Sequence, residues 1–204
     1  MSKFNTLVNE KTSVKTILFL GATGYVGGAL CQKFCQTQDF HVVALVRPSS
    51  NSKTIAPFCK EIIHSKESNF STEEIEAVIR EHDIKTIINL AWNMPPESTQ
   101  EAQFTKDRIA LEAALNAANA VSPDIHLITT SGNFSLITAE GGRITETPPP
   151  PGFAKPKYLA WSELLSGVNL MKDALTEEYI SQGFNASILY PSSVYGASPT
   201  REIL

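Results

Sequence analysis

Three glycines at a fixed interval, Gly21, Gly24 and Gly27 in the run Gly21-Ala22-Thr23-Gly24-Tyr25-Val26-Gly27-Gly28, have the type and spacing to hold a phosphate through the main chain. Glycine at 21 can take backbone angles closed to other residues, and at 24 the missing Cβ lets a pyrophosphate come up against the backbone. Gly27 lets the following helix lie close to the preceding strand. The first-turn N–H groups and positive dipole end of that helix then face the anion. Arg47 stands about 20 residues after Gly27, where a binder of NAD would offer an acidic residue to the adenosine ribose. The reversed charge, with Ser49, Ser50 and Lys53 nearby, suits a ribose phosphate and points to NADP, with NAD as the alternative. A solvated arginine at a strand end is the plainer reading of the same residue.

Such a turn works only between a strand and a helix. Thr16 to Leu20 is a short β-rich apolar run, and Val26, Leu30 and Phe34 recur at helical spacing behind the glycines, predicting one stripe packed on a sheet. His41 to Val46 is a second strand, nearly all apolar, as a parallel sheet covered on both faces requires. Glu61 to His64 predicts a third. Ser71 or Thr72 can cap a helix through Arg80, whose apolar stripe is Ile75, Val78 and Ile79. Thr86 to Leu90 and Ile125 to Thr130 read as strands four and five, separated by an alanine-rich helix from about Gln100 to Ala120 that follows Pro95 and Pro96. The prolines at 148–151 mark a stiff extended loop. A long helix with Leu164, Val168, Met171, Leu175 and Tyr179 on one stripe then leads to strand six, Asn185 to Tyr190.

The alternation of strand and helix predicts a doubly wound parallel α/β sheet of Rossmann type, residues 1–15 being a lead-in and 16–204 one dinucleotide-binding domain. A chain of 204 residues, 42% of them hydrophobic, can bury such a core. The opening has no apolar centre of the kind a signal peptide carries and no run is long enough to span a membrane, so a cytoplasmic protein is expected. A formal charge of -4 without blocks of Lys or Arg argues against nucleic acid or anionic membrane as the main partner. Cys31 and Cys35 are one helical turn apart and Cys59 stands alone in sequence, which predicts buried reduced thiols and no metal site.

The glycine spacing with Ala22-Thr23 inside it resembles the fingerprint of the short-chain dehydrogenases, in particular the NAD-dependent epimerase/dehydratase branch. Further segments are similar to that family: Leu90-Ala91-Trp92 beside the cofactor, Thr145-Glu146 before the prolines, and Pro191-Ser192-Ser193-Val194-Tyr195-Gly196, in which Tyr190 takes the place of the usual Arg. The resemblance implies cofactor contacts from Gly21, Thr23, Gly24, Tyr25, Val26, Gly27, Arg47, Ala91, Trp92, Thr129, Pro191 and Ser193. Trp92 replaces a small residue, so it either crowds the nicotinamide end, lines a substrate pocket or is a core aromatic. The family's adenine-contacting Asp is missing near Ser68, and Asp107 stands where a structural Asn is common. Ser131 falls on the strand end that carries the Ser or Thr bonded to the substrate's reacting oxygen.

The resemblance also brings a catalytic Tyr-x-x-x-Lys pair on the helix before strand six. Counting back from Tyr190 without gaps places it at Leu165 and Asn169, neither of which can do the work. Tyr158 is the remaining candidate for proton transfer, but four positions on stands Ser162, not a lysine. In the family, elements beyond residue 198 build most of the substrate-binding part, so the resemblance covers the cofactor-binding part only. Two functions are therefore expected in competition. One is an NADP-preferring dinucleotide-binding protein with impaired or absent catalysis, acting as a sensor or as a subunit beside a protein partner. The other is an active NADP-dependent reductase or epimerase of a small carbonyl or hydroxyl substrate, using Ser131 and Tyr158.

Overall fold

Short runs of β-branched and aliphatic residues alternate with helical stretches, and the chain forms β1 (Lys15–Leu20), α1 (Tyr25–Thr37), β2 (Phe40–Val46), a 3-10 turn (Ala56–Phe58), β3 (Glu61–His64), α2 (Thr72–Glu81), β4 (Thr86–Asn89), α3 (Gln100–Val121), β5 (His126–Thr130), α4 (Ala160–Ser181) and β6 (Ala186–Leu189). This computed structural model describes residues 14–91, 100–132, 160–191 and 199. The strands make one six-stranded sheet in the order β3-β2-β1-β4-β5-β6, with every neighbouring pair parallel. The expected doubly wound Rossmann-type architecture is therefore the fold.

The sheet has a core on each face. On one, Leu18, Leu20, Val43, Leu45, Ile87 and Leu127 meet the apolar sides of α2, α3 and α4. On the other, Ile17, Phe19, Val42, Ala44 and Val46 pack with Cys31 of α1 and with Ile55, Phe58 and Cys59 around the 3-10 turn. Alternate residues of β1 thus go to opposite cores, which is why its run from Ile17 to Leu20 is apolar without a break.

Ser71 caps α2 as expected, its Oγ accepting from the Glu74 N–H at 3.2 Å. The alanines of α3 at 110, 113, 114, 117 and 118 are buried, and their small size lets α3 seat between α2 and α4. The predicted stripe of α1 needs correction. Val26 is 36% exposed, whereas the buried positions are Gly27, Gly28 and Cys31, with Leu30 and Phe34 half-buried beside them. Hydrophobicity favours Val26, but backbone contact at the glycines sets the helix rotation. The thiols also differ from expectation: Cys31 is buried, Cys35 is exposed and Cys59 is half-buried.

Candidate functional site

β1 ends against β4, with Leu20 opposite Asn89, and the chain then turns sharply. Gly21 has φ +88°, the left-handed region that glycine enters at no steric cost. A Cβ there would lie 2.6 Å from the backbone of Leu90 and Ala91. At Gly27 a Cβ would come 2.2 Å from the Gly21 carbonyl oxygen, so this glycine lets α1 close onto the turn itself as well as the strand end. Gly24 is different. It is the N-cap of α1 and has no side chain to satisfy the first-turn N–H groups. Its added Cβ would meet only the Gly21 oxygen, at 3.3 Å.

That space belongs to a cavity of about 410 Å³ at the carboxyl ends of β1, β2 and β4. Its walls are the glycine turn (Gly21, Thr23, Gly24), the segment after β2 (Arg47, Ser49, Ser50, Asn51, Thr54), Ser68 to Phe70, Leu90 and Ala91, and Ala110 of α3. The sheet order reverses between β1 and β4, and in open α/β sheets ligands bind at this switch point. Gly21, Thr23, Gly24, Arg47 and Ala91 thus share one cavity, while Lys53 is not among its lining residues. Tyr25 and Val26 open α1. Asn51, Thr54, Asn69 and Phe70 escaped the sequence reading because they come from two irregular segments with no periodicity. Asn89, the last residue of β4, is buried and accepts the Ala91 N–H on Oδ1 at 3.1 Å.

The ends of β5 and β6 carry a second polar group of residues. Thr129 is fully buried and Ser131 is 8% exposed, and neither hydroxyl has a hydrogen-bond partner among the described residues. The Ser131 N–H donates to the Leu189 carbonyl at 2.9 Å. Asn169 of α4 comes so close to Gly132 that a Cβ there would be 2.4 Å from its Nδ2. The counted position 169 therefore does reach the end of β5.

The sequence reading missed the lysine one turn further on. Lys172 is 5% exposed, and Asp107 and Asp173 are 4% exposed. Burial pushes the Lys172 pKa down, while Asp107 of α3 and Asp173 of α4 push back. Beyond β6, burial first, and then the charges of Asp173 and Glu177, raise the Tyr190 phenol above the ordinary range. Four positions before Lys172 stands Val168, itself buried. The signal that could have found Lys172 was a single cation on the apolar side of α4. Pro191 follows, exposed. Trp92, Tyr158 and Ser193 lie outside the described residues.

No helix among the described residues is long and apolar enough to cross a membrane. No curated protein matches the sequence. Among solved structures, UDP-glucose 4-epimerase from Bifidobacterium longum, in complex with NAD+ and UDP, superposes with a TM-score of 0.67 at 14% identity, over 86% of this chain and 52% of that one. UDP-glucuronic acid 4-epimerase from Bacillus cereus, in complex with NAD, gives 0.65 at 18% identity over 91% and 60%. dTDP-glucose 4,6-dehydratase from Bacillus anthracis, in complex with NAD, gives 0.64 at 18% over 85% and 53%. The chain spans between about half and three-fifths of the length of these structures. A sequence profile described as the NAD dependent epimerase/dehydratase family matches residues 17–152. With two-thirds of its length under that profile and the glycine turn set in the matching fold, the chain belongs to the NAD-dependent epimerase/dehydratase family.

Proposed function

We propose that the chain binds a nicotinamide dinucleotide in the cavity at the sheet's switch point, prefers NADP(H) to NAD(H), and alone carries out little or no dehydrogenase turnover. The observation that carries this reading is that Gly24, where a Cβ would meet only the Gly21 oxygen at 3.3 Å, and Arg47, with Ser49 and Ser50, line the same cavity. The donor set fits the group. Backbone N–H groups at the start of α1 suit the pyrophosphate, and a guanidinium at the end of β2 suits a ribose phosphate. The solved relatives are described as NAD complexes; the preference for NADP rests on Arg47 alone.

When bound, the nicotinamide would supply hydride transfer. A proton must then move at the substrate oxygen, and the family assigns this to a Tyr with a Lys four residues on. Neither frame of α4 offers it, because Val168 precedes Lys172 and Leu165 precedes Asn169 at that spacing. Lys172 faces carboxylates and is buried, so its charge is committed within the fold. The second reading, an active reductase or epimerase using Ser131 and Tyr158, is favoured by the buried Ser131 hydroxyl that has no partner among the described residues.

Titration of the purified chain with NADPH and NADH tests the first part. NADPH should bind about 10- to 100-fold more tightly, the value of one charge-assisted contact, and Arg47→Asp should narrow or reverse the ratio. Equal affinities in the unaltered protein would sink the preference. A turnover screen on carbonyl and nucleotide-sugar substrates tests the second part. NADPH-linked turnover that disappears in Tyr158→Phe would establish the active reading in its place.

A further inference from the structure

We propose that Cys59 and Cys31 form a site of reversible oxidation by small hydroperoxides, Cys59 being the attacking sulfur and Cys31 the one that closes a disulfide. The two lie far apart in sequence and together in space. Cys31 is on the buried side of α1, 0% exposed, and Cys59 follows the 3-10 turn and packs against the core cluster that contains Cys31. Both are free thiols, and Cys59 is accessible enough for a small oxidant.

Their side chains hydrogen-bond one another. That bond holds the Cys59 thiol below its ordinary pKa against the opposing effect of burial. The same bond, followed by burial and by the charge on Cys59, pushes Cys31 far up. The sulfur that solvent reaches is therefore the more readily ionised of the two, and thiolate character with access is what makes a cysteine react.

In the first step the Cys59 thiolate attacks the terminal oxygen of a hydroperoxide. An S–O bond forms, the O–O bond breaks, and the alkoxide or hydroxide leaves and is protonated. Cys59 is then a neutral sulfenic acid, so the charge that raised Cys31 is gone. In the second step the Cys31 sulfur attacks Cys59, its proton leaving with the departing hydroxide as water while S–S forms and S–O breaks. The thiols together lose two electrons and the peroxide gains them. The bond fastens the segment that follows the Arg47 wall of the cavity to the helix that begins at the glycine turn. Cys35, exposed one turn along α1, serves as an internal comparison.

The test treats the reduced full chain with stoichiometric hydrogen peroxide, counts reactive thiols and maps peptides by mass spectrometry without reduction. The expected result is a fall from three thiols to one, a Cys31–Cys59 linked peptide lighter by two hydrogen atoms, Cys35 still free, and full recovery with dithiothreitol. Cys59→Ser should slow thiol loss by about tenfold or more, and Cys31→Ser should leave Cys59 as a sulfenic acid trapped by dimedone. A linkage through Cys35, or three thiols surviving in the unaltered chain, overturns the proposal without depending on whether either variant folds.

Discussion

Lys172→Met should lower the unfolding free energy by about 3–5 kcal/mol, the usual cost of removing one member of a buried ion group. The side chain is nearly isosteric, so the loss is not a cavity. Its cause is that Asp107 and Asp173, each 4% exposed, would both lose the attraction of the buried cation. A double-mutant cycle separates the two explanations. If uncompensated charge is responsible, Asp107→Asn, which installs the residue common in the family, should cost far less in the Lys172→Met background than a second independent lesion would, and should restore part of the stability. Additive losses in urea unfolding, with no recovery, would show that Lys172 contributes only packing.

Gly24→Val should abolish dinucleotide binding, by about 100-fold or more, with a melting temperature close to that of the parent. The backbone at 24 has φ -76° and ψ 168°, an extended conformation that valine adopts readily. Its only close neighbour would be the Gly21 oxygen at 3.3 Å, and the rest of the side chain projects into the cavity. There it displaces the phosphate from the start of α1, where each charge-assisted hydrogen bond is worth about 1.5–3 kcal/mol. Gly27 would not serve for this experiment, because a Cβ 2.2 Å from the Gly21 oxygen must break the turn before it touches any ligand. Calorimetric titration decides it, and unchanged affinity in the Gly24→Val protein would reduce the glycine turn to a structural one.

The strand and helix pattern was legible because each period carries one physical requirement. β3 at Glu61–His64 was read to the residue, and α3 was read to within a residue at its end, since alternating turn residues and apolar runs leave little freedom. On α1, Leu30 and Phe34 do face the core as their spacing predicts, and Val26 does not. Apolar periodicity weighs Val26, but the helix is rotated by glycine backbone lying on Gly21, a contact with no hydrophobic signature. The cavity was half legible. Gly24 and Arg47 announce themselves through motif spacing, whereas Asn69, Phe70 and Thr54 reach it only through the course of irregular segments. Lys172 was overlooked because the gap-free count ended at Asn169, and because a buried cation on an apolar stripe is visible only once Asp107, on another helix, is placed beside it. The proximity of Cys31 and Cys59 was hidden for the same reason.

The central place of β1 bears on the order in which the chain can assemble as it leaves the ribosome. One edge of β1 is paired by β2, which follows it within a single helix, so this unit can form early and locally. The other edge is paired by β4, with Ile17 opposite Thr86, and stays open until that much later strand is made. Until then an apolar ladder is presented by a central strand whose last four residues are buried in the finished fold, the kind of unpaired edge that invites association with other chains. Exposure of that edge should therefore end with docking of β4, and the rate of folding should be governed by closing that long loop more than by forming any helix.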